Sequence, residues 1–299
     1  MAGGLPTPDL ERRSRPEGLS YFNVDGYPLA YREEGTGSPL ILIHGSINDY
    51  RAWGQQVPAL GRRHRTIALS LRHCYPEHWD GGGVDFSVNQ HAGDIAAFVV
   101  GMGLGRVDVI GHSRGGAVAM LLALRHSGLV RRLILADPGG LEALLPDTPE
   151  GQAMAQESAQ MFARLAQDLK TGDAEAAARA FVDALGGSGT WDRRSQEQKQ
   201  VLLDNIGTGP ACAERPRLSR EDLAALKGPV LLVTGERSPR RYAVALAEMR
   251  EHVKAVSGMV TIPNAAHALN RDNPESFNAA VLAFLAAGGT EDMDVEAGR

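Results

Sequence analysis

Apolar residues in this 299-residue chain cluster in short blocks rich in Val, Ile and Leu, and the blocks alternate with longer stretches of helical periodicity. The blocks are "PLILIHG" (39–45), "HRTIALSL" (64–71), "RVDVIGHS" (106–113), "RRLILADP" (131–138), "GPVLLVTG" (228–235) and "GMVTIPN" (258–264). The middle ones are nearly continuous in apolar residues, as strands buried on both faces of a parallel sheet are. Before them, "YFNVDG" and "PLAYREEG" are predicted to form a hairpin with Asp25-Gly26 as its turn. Helical spacing is predicted at about 48–61, 89–102, 115–127, 240–254 and 273–287. Strands alternating with helices define an α/β fold, a mostly parallel sheet flanked by helices.

Residues 140–222 break the alternation. No block there reads as a strand, and Ala, Gln and Leu recur with helical spacing near 149–170, 173–186 and 192–206. A helical segment inserted after the sixth strand is expected to cover the carboxyl edge of the sheet, where open α/β sheets bind ligands. The predicted organisation is a core of 21–139 and 223–287, a helical cap of 140–222, a flexible N-terminus of 1–20 and a flexible acidic tail of 288–299.

Composition narrows the partners. With 43% hydrophobic and 22% charged residues and a formal net charge of -5, the chain offers no electrostatic reason to bind nucleic acid or an anionic membrane. Arginine pairs such as Arg12-Arg13 and Arg62-Arg63 are short and scattered. No run approaches the roughly 20 apolar residues of a membrane span, and the first residues show no apolar secretory segment. Cys74 and Cys212 make neither a disulfide framework nor a metal-ligand set. A cytoplasmic location, a small-molecule substrate, and no metal or cofactor are the expectations.

The chemistry begins at Gly111-His112-Ser113-Arg114-Gly115, a G-x-S-x-G match that follows an apolar strand and precedes an Ala/Leu-rich helix. Such a serine needs small flanking residues so that the chain can turn sharply from strand to helix. Here the chain resembles the α/β-hydrolase superfamily, over about 20–285. The resemblance implies Ser113 as nucleophile. It implies a second family segment at "LIHGS" (42–46), whose Ser46 N–H, with the N–H of Arg114, would form an oxyanion hole. "TIPNAAHALN" (261–270) is similar to the family's histidine loop, with His267 as general base.

The third member is displaced. The common family pattern has an aspartate three residues after a glycine that ends the seventh strand; counting from Gly235 gives Ser238, which carries no charge. Asp137, at the end of "RRLILAD", is the candidate acid, a placement similar to that of the zearalenone-type lactone hydrolases. Its other role would be to cap the turn before Pro138-Gly139. Glu236 is the alternative acid. Asp272, a Ser–His dyad, and a ligand-binding protein with little turnover also remain open.

Serine at the elbow favours acyl chemistry over the epoxide hydrolases and haloalkane dehalogenases of the superfamily, which place aspartate there. A medium-sized, largely apolar ester or lactone is expected, with meta-cleavage-type carbon–carbon hydrolysis as the alternative. Trp191, Ile47, Leu141 and Met161 are the expected substrate contacts, and a homodimer through the cap stays open.

Overall fold

The computed structural model describes residues 16–287 apart from 80, 83, 84, 215 and 217. The expected acidic tail and most of the expected flexible N-terminus lie outside the described residues. Eight strands run in the order β1-β2-β4-β3-β5-β6-β7-β8 across one sheet. They are β1 (Ser20–Val24), β2 (Tyr27–Glu34), β3 (Pro39–Ile43), β4 (Arg65–Leu69), β5 (Val107–His112), β6 (Val130–Ala136), β7 (Val230–Gly235) and β8 (Val256–Ile262). β1 and β2 pair antiparallel around Asp25 and Gly26, both at positive φ, and β2 pairs antiparallel with β4. The remaining pairs are parallel.

Side-chain alternation splits the interior in two. Ile41, Ile43, Val109, Leu133 and Leu135 face one core, where α2 (Val88–Gly101), α3 (Arg114–Arg125) and α8 (Arg240–His252) pack. Leu40, Leu42, Ile134 and Val233 face the other, closed by Trp53, by α1 (Gln56–Leu60) and by α10 (Pro274–Ala287). The continuous runs of the sequence thus divide by a period of two between two cores.

One predicted helix differs. The stretch 48–61 is a 3₁₀ turn at Tyr50–Trp53 followed by the short α1. Gly54 interrupts it, and Pro58, which has no N–H to donate, fits a helix only in the first turn. Between β6 and β7 lie α4 (Pro149–Leu169), α5 (Ala174–Gly186), α6 (Gln196–Asp204) and the short α7 (Arg220–Ala224). α4 starts where Thr148 accepts the N–H of Gly151 with Pro149 in the first turn, and α6 starts with a reciprocal cap between Ser195 and Gln198. A final turn of helix, α9 (Leu269–Asp272), precedes α10.

The inserted helices are tied to the core by a polar knot. Asp49, fully buried, accepts from Arg51 (2.6 Å) and from Asn205 at the end of α6 (2.6 Å), and Arg51 also reaches Asp204 (2.8 Å). Cys74 and Cys212 are buried free thiols. Among the described residues no helix is long and apolar enough to cross a membrane.

The parallel strands place the ends of β3, β5, β6, β7 and β8 along one edge, and the closest packing there is backbone on backbone. A Cβ on Gly115 would meet the carbonyl oxygens of Ile43 and His44 at 2.3 and 2.5 Å. Gly115→Ala is therefore expected to destabilise the fold by about 2–3 kcal/mol, because two rigid strand-end carbonyls must move. Urea denaturation of the variant checks this; an unchanged midpoint would mean that helix α3 stands farther from β3 than described.

Candidate active site

Ser113 sits between β5 and α3 at φ 53, ψ -123, a conformation that an ordinary side chain enters only under constraint. The constraint comes from backbone bonds: its N–H donates to Ala136 (3.0 Å), and its carbonyl accepts from Gly116 and Gly139 (2.8 Å each). Gly111 permits the bend, since a Cβ there would lie 2.4 Å from the Gly115 carbonyl. The Ser113 turn is thus stitched to the end of the neighbouring strand β6.

The loop after β3 lies against this turn. His44 is fixed in one tautomer, accepting the Leu71 N–H at Nε2 (3.0 Å) and donating from Nδ1 to the Gly45 carbonyl (2.8 Å). Burial holds its pKa down at about 4, so it stays neutral. Ser46 follows, then Ile47 at φ 47. The backbone N–H groups of Ser46 and Arg114 have no protein acceptor among the described residues, and the N–H of Arg114 opens helix α3, where first-turn donors have no intrahelical partner.

His267 lies in the loop between β8 and α9. Its Nδ1 is 3.2 Å from Asp137 Oδ2. Tyr242 of α8 stacks on the ring (centroids 4.6 Å apart, planes at 15°). His112, next to Ser113, donates from Nε2 to the His267 carbonyl (2.7 Å). Burial first, and the charge of His267 second, lower the His112 pKa to about 3, which keeps it neutral.

Asp137 is the first residue past β6, completely buried and at φ 40. Parallel register sets its neighbours: Ala136 pairs with His112 on one side and with Val233 on the other. The next rung therefore brings Ser113, Asp137 and Thr234 side by side. Thr234 Oγ1 donates to Asp137 Oδ1 (2.7 Å), and Ser238 Oγ donates to Oδ2 (2.5 Å). The residue at the family's usual acid position thus hydrogen-bonds the carboxylate one strand away. Burial raises the Asp137 pKa to about 6, against the two hydroxyl donors that lower it. Glu236 points elsewhere, accepting the N–H of Asn264 (2.7 Å), and Asp272 accepts the N–H of Ala266 (2.9 Å).

A pocket opens over these groups. Ser46, Ile47, Ser113 and His267 form its floor; Phe181, Val182 and Leu185 of α5 and Leu202 of α6 face it from above. Of the expected substrate contacts, Ile47 lines this cavity. Trp191 is fully buried behind it, with Nε1 sealed from solvent and the Lys199 ammonium 5.6 Å from its ring centre. Leu141 borders a separate groove beside Tyr242, and Met161 packs against the main core. Large apolar side chains here seal the joint between inserted helices and core. Arg194 and Arg271, which hydropathy does not single out, do line the cavity. The Arg114 side chain turns away, buried with its guanidinium 4.8 Å from the Phe86 ring centre, and Arg72 pairs with Asp94 (2.7 Å). Among the described residues no group of three His, Cys, Asp or Glu side chains could hold a metal ion.

A sequence profile of the alpha/beta hydrolase family matches residues 40–280. The chain belongs to this family. It is similar to a soluble epoxide hydrolase of Corynebacterium sp. (34% identical over 122 residues, 40% of this chain and 42% of that protein). That match spans less than half of the relative's length. A 2-(acetamidomethylene)succinate hydrolase of Mesorhizobium japonicum is 27% identical over 271 residues, 87% of this chain and 92% of the other. A thermophilic esterase of Thermogutta terrifontis shares the fold, with TM-score 0.70 and 24% identity over 90% of this chain and 97% of that one.

The raised Asp137 pKa has a consequence for stability. Between about pH 4 and pH 6 the folded chain holds a proton that the unfolded chain releases, so this group lowers stability as pH rises, and its cost is complete above pH 6. Asp137→Asn is expected to remove up to roughly 3 kcal/mol of that dependence. Urea denaturation of both proteins at pH 4 and pH 8 measures it; a wild type that gains stability relative to the variant across this range would mean that the folded carboxylate is favoured, not penalised.

Proposed function

We propose that this alpha/beta hydrolase cleaves a carboxylic ester or lactone through an acyl-enzyme on Ser113. The observation that carries the reading is the serine, held at a strained turn beside a histidine whose Nδ1 meets a buried carboxylate at 3.2 Å. In this reading Ser113 Oγ attacks the carbonyl carbon and passes its proton to His267. Asp137 accepts the Nδ1–H and balances the imidazolium. The oxygen that gains charge lies against the N–H groups of Ser46 and Arg114, which need no reorganisation to receive it. His267 then gives its proton to the leaving alcohol, takes one from water, and the hydroxide clears the acyl group. Stacking on Tyr242 keeps the ring from rotating away, and the His112 bond to the His267 carbonyl fixes the backbone that carries it.

The inserted helices act as a cap in this reading. Phe181, Val182, Leu185 and Leu202 suit an apolar acyl or alcohol chain of medium size. Ser238 and Thr234 take the place of solvent around the Asp137 carboxylate, so that it ionises near neutral pH despite full burial.

Three measurements test the reading. A fluorophosphonate probe is expected to label Ser113 in the folded protein, and absence of labelling would favour a binding protein on the hydrolase fold. Asp137→Asn should lower kcat by about 10³–10⁴, with Glu236→Gln nearly silent. Ser238→Asp alone places two carboxylates in contact, which must share a proton, and should lower activity near neutral pH. Combined with Asp137→Asn it restores a carboxylate within reach of His267, with an expected recovery of about 10- to 100-fold over Asp137→Asn. A double variant as inactive as the single one would show that the geometry at Asp137 itself is required. Screening dienoic diketones beside esters and lactones separates carbon–carbon cleavage.

A further inference from the structure

Two guanidinium groups face the cavity without a carboxylate partner. Arg194 comes from the segment between α5 and α6, and Arg271 from α9, four residues after His267. Neither makes an ion pair among the described residues, and the Nε of each is sealed from solvent with no acceptor. Among the described residues, the Arg271 side chain makes one hydrogen bond, from Nη1 to Asn48 Oδ1 (3.2 Å), and Asn48 in turn donates to the Ser46 carbonyl (2.9 Å). Leaving such donors desolvated and unpaired costs free energy, and two like charges side by side cost more. Arg51, Arg72 and Arg131, by contrast, each hold an aspartate within 2.8 Å, whereas the guanidinium of buried Arg114 makes no hydrogen bond among the described residues and approaches Glu214 at 3.8 Å.

We propose that Arg194 and Arg271 form a carboxylate-binding subsite, so that the substrate of the acyl chemistry inferred above carries a free carboxylate beside the bond that is cleaved. The cavity wall of Phe181, Val182, Leu185 and Leu202 accommodates the apolar chain between the two groups. Charge balance favours a monoanion. Asp272 also borders the cavity, and it and Asp183 act on Arg194 at longer range. One carboxylate near two guanidinium groups leaves room for one more. Planar guanidinium forks match a carboxylate through paired N–H donors. Burial, and the repulsion between the two arginines, also lower the pKa of Arg271 to about 9, a penalty that a bound anion relieves. Through Asn48, the anion is held at a fixed offset from the loop that presents the Ser46 N–H. The expected largely apolar substrate is thereby revised to one with an apolar middle and an anionic end.

The proposal rests on the acyl-hydrolase reading, and paired substrates keep the two apart. The mono-p-nitrophenyl ester of adipic acid and its neutral counterpart, p-nitrophenyl hexanoate, differ in the terminal carboxylate; homologous pairs of other lengths scan the offset. The wild type is expected to prefer the charged member by about 10- to 100-fold in kcat/KM, mainly through KM, and to lose the preference with rising salt. Arg194→Gln and Arg271→Gln should each reduce the ratio of the two kcat/KM values several-fold, with Arg271→Lys intermediate. Both glutamine variants should also melt at a higher temperature than the wild type, since each removes a partly buried charge that has no counterion and is held for binding. Arginines serving only structure would lower it. Turnover of both esters with no preference, or a preference that survives both substitutions, would overturn the subsite and leave the hydrolase reading intact. If neither ester is turned over and Ser113 is not labelled, the hydrolase reading falls. Adipate binding to the folded Ser113→Ala protein, by calorimetry, then decides the subsite alone: salt-sensitive binding that weakens in the arginine variants supports it, and no binding overturns it.

Discussion

The Asp137 carboxylate has no contact with water, and three groups from three different segments converge on it. Thr234 and Ser238 approach from the end of β7, His267 from the loop after β8, and the backbone that bears it is stitched to Ser113 at the end of β5. A charge in such a place is tolerable only when every lone pair has a donor. The positions of three strand ends are therefore coupled through one side chain. Remove the hydroxyls and the carboxylate keeps its proton; remove the carboxylate and the histidine ring loses the partner of its Nδ1. Parallel pairing makes the convergence possible, since it brings all the ends to one edge in consecutive rungs.

In the proposed reading, that arrangement lets an acid at the end of β6 serve where the usual place is after β7. Adjacent parallel strands stand about 4.8 Å apart, a distance that one serine hydroxyl bridges. Ser238 is therefore no vacancy. It supplies the hydrogen bond that the relocated carboxylate needs, from the position the family more often gives to the carboxylate itself.

The sheet was readable in the chain because its strands announce themselves by composition, and the hairpin by Asp25-Gly26. Ser113 and Asp137 immediately follow β5 and β6, and His267 lies five residues past β8, so chain order alone already puts the three proposed residues at one edge. Residues placed by tertiary packing were not readable. The helix expected at 48–61 breaks because Gly54 and Pro58 outweigh its apolar spacing. Trp191, Leu141 and Met161 are large and apolar in the inserted region, but nothing local distinguishes an apolar residue that lines a cavity from one that closes a joint. Arg194 and Arg271 are far apart in sequence and each reads alone as surface charge; only their meeting over the cavity, without counterions, gives them meaning. A signal was present at Arg271, one helical turn beyond His267, where α9 brings it back over the histidine loop.

The hydrogen bond from His112 to the His267 carbonyl spans 155 residues of chain. It joins the residue next to Ser113, the proposed nucleophile, to the residue proposed as base, so the two halves of the site share one link rather than two separate mountings. Loosening at the end of β8 is thereby transmitted to the elbow, and strain at the elbow to the last loop. A site linked in this way is expected to be lost together with the cooperative melting of the core, not ahead of it.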